Sequence, residues 1–462
     1  MEDPRDPPPS LFSPSLLPGR PQDAHRSPYC VHWDARTNFE SSEAEANYKR
    51  KTRATERAFG NILARLKYSF IADSRRQSQV PADVGGASLL RSRPEETMSV
   101  PWAQPSIGED EVREVLDSLR TGWVSMGPKV RALETQLAKY VGVKNAVAVS
   151  SGTAALDVAL KGVGIRPGDE VVMPCLTYIA TANAVHYQGA TPVLADVDPQ
   201  TFNINPEAVR SRLSPRTKAL VAVDYGGLAA DCDALDEICR DNRLTLVKDG
   251  AHSLGAAYNG KSLLSHGRVS TLSFHSAKVM TSVEGGMVFS DDEEIARFAR
   301  IFRNQGEDPS VKYFHPLVGQ NYRMSDVHAA IGLAQFRRLD SFLRKRAEIA
   351  AAYTEAFVKE DHVQLQHVPA GAVHSWFFYP LLVQHREKVM EALRRAGIET
   401  RVGWPYPIHQ QPPYRGVGAL GDFPNAERIA DHVLNLPVFY GMTDEQRDHV
   451  IGTLRAAVRG FE

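Results

Sequence analysis

Cysteine is scarce in this chain: Cys30, Cys175, Cys232 and Cys239 among 462 residues, with no CxxC pair. That argues against a disulfide framework and against a thiolate metal site, and it fits a reducing, cytoplasmic setting. Net charge is nearly absent too. Lys and Arg number 54 against 55 Asp and Glu, a balance that leaves no electrostatic footprint for nucleic acid or an anionic membrane. No apolar run is long enough to span a bilayer. The start, Met1-Glu2-Asp3-Pro4, lacks the basic and then apolar layout of a signal peptide. At the turn "SSGTAAL" there is neither a GxGxxG fingerprint nor a Walker lysine. What is plentiful is apolar content, 43% of residues, enough for a large core in about two to four domain-sized units.

The first 97 residues read differently from the rest. "MEDPRDPPPSLFSPSLLPGRP" is proline-rich and aperiodic, so an unfolded, dispensable extension is expected. Within it, "RATERAFGNILARLKYSF" allows a short helix with Phe59, Ile62, Leu63 and Leu66 on one face. Met98 is a candidate translation start. Beyond it, "GEDEVREVLDSL" sets Val112, Val115, Leu116 and Leu119 at helical spacing. Then short apolar runs alternate with amphipathic ones: "NAVAVS", "EVVMP", "TPVLADVD", "KALVAVDY", "LTLVKD", "TLSFHS" and "GGMVFS". Runs apolar throughout suit strands buried on both faces of a mainly parallel sheet, with helices such as "TAALDVALKGV" as crossovers. The expected architecture is α/β, with a large domain over residues 98–340 and its sheet between about Val141 and Gly306. A long helix is expected over "SDVHAAIGLAQFRRLDSFLRKRAEIAAAYTEAF". A smaller C-terminal α/β domain is expected over 341–462.

Ligands of parallel sheets bind at the carboxyl ends of strands, and four polar clusters fall at such ends. "SSGTAAL", Ser150 to Leu156, is a strand–turn–helix joint: an anion site on a helix N-terminus or a plain N-cap, the two readings being even. In "LVKDGAHSLGA", Asp249 closes a strand and His252 follows three residues later. The carboxylate can pin a protonated ring nitrogen, although a capping Asp with a packed histidine explains the pair in isolation. In "FHSAKVMTSVEGG", Lys278 is the only lysine among small and apolar residues, as Schiff-base chemistry requires when burial lowers the amine's pKa. A solvated surface amine is the ordinary alternative. In "PCLTYIATANAV", Tyr178 offers either an aromatic face to a flat ligand or one more core side chain. One ligand accounts for all four clusters. Pyridoxal 5'-phosphate has a phosphate, a pyridinium nitrogen, a ring to stack on and an aldehyde for an amine.

From about Val100 onward the chain resembles the DegT/DnrJ/StrS family of pyridoxal-phosphate-dependent sugar aminotransferases. The stretches that carry the resemblance include "GWVSMGPKVRALETQLAKYVGVKNAVAVSSGTAAL", "DGAHSLGAAYNGK", "SFHSAKVMTSVEGGMV", "GQNYRMSDVHAAIGLAQ" and "LPVFYGMTDEQ". The resemblance implies fold type I, with a mainly parallel seven-stranded sheet in the large domain. It implies that Lys278 bonds the cofactor and later shuttles a proton, and that Asp249 pairs with the pyridine nitrogen. It places His252 beside the phenolic oxygen and Tyr178 on the ring face, with Gly152, Thr153 and Ser273 around the phosphate. Asn321 would reach the phosphate of a partner subunit, which makes an obligate homodimer the expected assembly, and His409 would lie on the substrate side. The implied partners are an amino-acid donor, glutamate first, and a keto sugar, nucleotide-linked. A keto-inositol acceptor, or a cofactor-binding regulator without turnover, are the alternatives. The chain departs from the family at Lys248-Asp249-Gly250-Ala251, where Glu-Asp-Ala-Ala is common. Lys248 is expected to point away from the ring and to serve packing or solubility.

Overall fold

A computed structural model of the chain describes residues 98–460. The expectations for residues 1–97, including the short helix around Phe59 to Leu66, lie outside the described residues. Helices α1 (Glu109–Thr121) and α2 (Pro128–Val141) come first. Then follow β1 (Asn145–Val149), α3 (Gly152–Gly162), β2 (Glu170–Pro174), α4 (Ile179–Tyr187), β3 (Thr191–Ala195), α5 (Pro206–Arg212), β4 (Thr217–Val223), α6 (Cys232–Asp241) and β5 (Thr245–Asp249). The short β6 (Ala257–Tyr258) and β7 (Lys261–Ser262) precede β8 (Val269–Ser273), β9 (Gly286–Ser290), α7 (Glu293–Phe302), α8 (Asp326–Arg337) and α9 (Leu339–Phe357). The chain closes with β10 (Val363–Leu365), β11 (Ala372–Val373), β12 (Tyr379–Val383), α10 (Arg386–Arg395), α11 (Pro424–His432), β13 (Val433–Leu436) and α12 (Asp444–Arg459).

All seven expected apolar runs are strands of one sheet, in the order β1-β9-β8-β5-β4-β2-β3. The pairs β2–β3, β2–β4, β4–β5 and β5–β8 are parallel, and only β9 runs against its neighbours. The runs do not alternate in polarity because both faces are covered. Along β2 and β4, Val171, Met173, Ala219 and Val221 enter one hydrophobic cluster while Val172, Leu220 and Ala222 enter another. A second, antiparallel sheet of order β10-β12-β13 has its own core, including Ile349, Tyr353, Leu381, Leu434 and Leu454. Val100, early in the chain, joins that C-terminal core through a bridge to Ile398.

Two helical expectations need correction. The single long helix is two, broken at Arg338 (φ −105°, ψ 0°). The Arg338 guanidinium reaches Ser106 Oγ at 2.7 Å and lies over the Phe342 ring, so the break is anchored by contacts distant in sequence. In α1 the face turned toward the protein is polar. Glu111 and Ser118 are buried, and Glu111 accepts from Gln335 Nε2 at 2.7 Å. Val112, Leu116 and Leu119 are exposed and Val115 is half-buried, so most of the apolar stripe is uncovered among the described residues.

The carboxylate of Asp326, fully buried, caps the start of α2 across almost two hundred residues. Its Oδ1 accepts from Gly127 N at 2.8 Å and Val130 N at 2.9 Å, and Oδ2 from Lys129 N at 3.1 Å. These are N–H groups that the helix itself leaves open, at the end where its dipole favours an anion. Asp326→Ala should therefore destabilise the protein by about 2–4 kcal/mol, the scale for stranding buried donors of a charged acceptor. Asp326→Asn should fall between the two, and urea denaturation of the three proteins measures the order.

Candidate active site

A cavity of about 510 Å³ opens at the carboxyl ends of the parallel strands. Gly152, Thr153, Tyr178, Asp249, His252, Ser273 and Lys278 all line it. Sequence reasoning had placed these seven on five separate segments. Each stands just where a parallel strand ends, which is why they converge.

The phosphate-type corner forms where β1 turns into α3. Ser151 caps the helix, accepting from Ala154 N at 3.1 Å, and the first-turn N–H groups near Gly152 and Thr153 stay directed outward. Glycine is required twice here. A Cβ on Gly152 would stand 2.8 Å from Ser273 Cβ, and one on Gly286 would stand 2.2 Å from the Ser151 carbonyl oxygen. The second glycine of "VEGG" thus lets β9 press against the turn that presents the anion site. The loop between β8 and β9 is pinned at both ends of Phe274: its N–H donates to the Gly285 carbonyl at 2.9 Å, and its carbonyl accepts from Ser282 N at 3.0 Å. Lys278 projects from this loop, with Nζ 4.4 Å from the centroid of Phe377. Its side chain is half-buried and lines the cavity. Burial pulls its amine down to about 8, against the opposing pull of Asp249.

Asp249 closes β5 and is buried. Its Oδ2 accepts from Thr181 Oγ1 at 2.8 Å, and Thr181 lies 3.0 Å from the Thr177 hydroxyl. Its Oδ1 accepts from Ala251 N at 3.2 Å. Burial pushes the carboxyl above its usual range, while Thr181, Ala251 and Lys278 pull the other way. His252 is buried as well, its ring stacked 11° from parallel to Trp404 and packed on Phe377. Burial first, then Lys278 and His374, hold it well below its usual pKa, so it is neutral. Its Nδ1 has no hydrogen-bond partner. Tyr178, 60% exposed at the cavity rim, is not a core residue.

Two assigned residues lie elsewhere. Asn321 is exposed, in a backbone bridge with Asn304, and does not line its own chain's cavity. His409 is buried outside the lining, with Nε2 3.1 Å from Glu427 Oε1 and its ring on Phe423. Sequence reasoning missed the walls: Trp102, Phe377, Phe378 and Trp404. They come from segments distant from one another in the sequence. Lys248 is fully buried and paired with Asp224 at 2.6 Å, which rules out the solubility role.

The sequence profile of the DegT/DnrJ/EryC1/StrS aminotransferase family matches residues 105–455. The chain belongs to that family. It is 40% identical over 359 residues to the GDP-perosamine synthase of Caulobacter vibrioides, covering 76% of this chain and 96% of that protein. It is 37% identical over 382 residues to the spore coat polysaccharide biosynthesis protein SpsC of Bacillus subtilis, covering 79% and 98%. Among solved structures, the PLP form of the sugar aminotransferase Spr1654 of Streptococcus pneumoniae, itself assigned as putative, superposes with a TM-score of 0.75 at 29% identity, over 79% of this chain and all of that one. The enzyme is an aminotransferase of fold type I.

Three observations fit pyridoxal 5'-phosphate to this cavity. The glycines leave an anion cradle no side chain fills, the neutral His252 has a buried Nδ1 awaiting a polar partner, and Lys278 is an amine near neutrality. At pH 7 an amine of pKa about 8 is roughly a tenth neutral, several hundredfold more than at the ordinary lysine value. The free amine is the nucleophile, so capture of the cofactor aldehyde should accelerate as pH rises and level off above about 8. Stopped-flow absorbance across pH 6–10 with the cofactor-free protein checks the midpoint. A midpoint near the ordinary lysine value would mean that the amine is not desolvated.

Proposed function

We propose that this aminotransferase moves an amino group from L-glutamate to a nucleotide-linked keto sugar, in two half-reactions on one pyridoxal 5'-phosphate. The observation that carries the reading is the pairing of a desolvated Lys278 with a buried, hydrogen-bonded Asp249 in one cavity. Relatives named for GDP-perosamine and for coat polysaccharide support the sugar class. When bound, the cofactor supplies the electron sink for the Cα carbanion. Lys278 Nζ would hold the cofactor through its aldehyde and, as a free amine, would move the proton at the substrate's Cα. Asp249 holds the ring nitrogen protonated, with Thr181 and Ala251 fixing both carboxylate oxygens. His252 meets the phenolic oxygen, Tyr178 covers a ring face, and Gly152, Thr153 and Ser273 hold the phosphate. Phe377 and Trp404 keep water from the amine. His409, paired with Glu427 outside the lining, fits a structural role better than contact with the acceptor.

We also propose a cytoplasmic homodimer in which Asn321 of one chain completes the phosphate site of the other. Its support is the exposed stripe Val112, Leu116 and Leu119, continued by exposed Trp123 and Val124, together with Asn321 standing off its own cavity. A second copy is the occupant that such an apolar face fits.

Adding L-glutamate to the cofactor-loaded protein should abolish the visible band of the lysine-bound cofactor and give that of the aminated cofactor. GDP-, UDP- and dTDP-linked keto sugars, tested singly, should restore the first band for one of them. Recovery only by a keto-inositol would move the acceptor to cyclitols, and an unresponsive band would point to a regulator. Lys278→Ala should lower turnover at least about a thousandfold, within the range of a positioned proton transfer. Mixing Lys278→Ala with Asn321→Ala chains should give hybrid dimers with one intact site and measurable activity, if the sites are shared.

A further inference from the structure

The carboxylate of Asp224 lies just past β4, beneath the turn that carries Asp249 and His252. It is 1% exposed, and its partner Lys248 is wholly buried. Lys248 Nζ donates to Oδ1 at 2.6 Å, and Ser253 Oγ donates to Oδ2 at 2.7 Å. Ala230 N adds a third bond, to Oδ1 at 3.2 Å. Lys248 immediately precedes Asp249, and Ser253 immediately follows His252. One buried carboxylate therefore grips the chain on both sides of the two residues that face the ring.

We propose that Asp224 is a positioning residue for the cofactor, fixing the separation of Asp249 and His252 by binding Lys248 and Ser253 at once. The inference rests on the assignment of Asp249 and His252 to the cofactor ring. The chemistry demands such a device. The pyridine nitrogen and the phenolic oxygen belong to one rigid ring, so the two side chains that meet them must be held at one spacing. The register supports it. Val223 pairs with Asp249 and Ala222 with Lys248, so alternation turns Asp249 and Val223 to the cavity and Lys248 to the opposite face. Val223 lines the cavity. The turn itself is closed by Ser253 N to the Gly250 carbonyl at 2.8 Å and by Ser375 Oγ to the His252 carbonyl at 2.7 Å. A buried ion pair is a poor way to gain stability, since apolar side chains of like volume serve as well or better. Its fixed, directional geometry is what an apolar pair would lack.

The test uses the full chain loaded with pyridoxal phosphate and reads the dissociation constant and the visible circular dichroism of the bound cofactor, which reports ring orientation. Ser253→Ala keeps the ion pair and removes one tie. It should weaken cofactor binding about three- to tenfold, the worth of one hydrogen bond, and diminish the dichroic band, with little change in melting temperature. Asp224→Leu combined with Lys248→Met removes both charges together, leaving no lone buried ion. It should weaken binding further and alter the band more. Asp249→Asn serves as the reference for a lost ring contact. If Ser253→Ala and the folded double variant match the parent in both readouts while Asp249→Asn does not, the positioning role is wrong. If Asp249→Asn matches as well, the ring assignment falls with it. Should the double variant fail to fold, Ser253→Ala decides on the same two readouts.

Discussion

The half-buried amine of Lys278 lies 4.4 Å from the centroid of the Phe377 ring, and the chemistry of the site depends on the partial desolvation that lowers it. The aromatic face favours the charged form, and so does Asp249, yet burial outweighs both and brings the amine to about 8. A lysine there can be neutral to attack an aldehyde and charged to return a proton. Asp249 has the opposite need. Burial works against its charge, so its ionised form depends on Thr181, on Ala251 N and on the cationic partners it faces. Burial thus works against the charged form of both groups, lowering the amine and raising the carboxyl, while their contacts with each other and with Thr181 and Ala251 oppose it.

Sheet topology converts that requirement into geometry. Parallel strands deliver Gly152, Thr153, Tyr178, Asp249, His252 and Ser273 from the same edge. The exception, antiparallel β9, returns directly from β8 and so ties down the Lys278 loop at both ends. Its first residue, Gly286, packs on the Ser151 carbonyl at a distance no side chain tolerates. The lysine loop and the anion-binding turn are therefore in direct backbone contact, and neither can shift alone. Val283 within the loop has a φ of 69°, costly for a β-branched residue. Its N–H donates to Thr281 Oγ1 at 2.8 Å, which offsets part of the strain.

Much of this was legible in the sequence, for identifiable reasons. Strands buried on both faces leave unbroken apolar runs, and all seven could be read. Lys278, Asp249 and the glycine-rich turn sit in short motifs whose chemistry is local. What escaped reading was set by partners far along the chain. The spacing in α1 gave its helix but not which face turns inward: Glu111 is bound by Gln335, more than two hundred residues away. The break at Arg338 depends on Ser106. The aromatic walls, Trp102, Phe377 and Trp404, come from three segments with no shared pattern, and they meet only when the C-terminal part of the chain folds over the sheet edge.

The residue at 248 shows how such a distant partner changes the reading of a departure. Glutamate, common in the family at this place, would set a carboxylate against buried Asp224, and two like charges without water between them cannot both stay ionised. Lysine at 248 and aspartate at 224 are consistent only together. Burial alone would strip the proton from Lys248, and the Asp224 carboxylate overrides it, holding the amine above its ordinary range. The pair is then neutral as a whole. One residue away, Asp224 is a minor influence on Asp249, adding to the upward push of burial. The departure from the family pattern is thus matched by its buried partner: Lys248 satisfies the Asp224 carboxylate, the same group that accepts from Ser253 on the far side of the turn carrying Asp249.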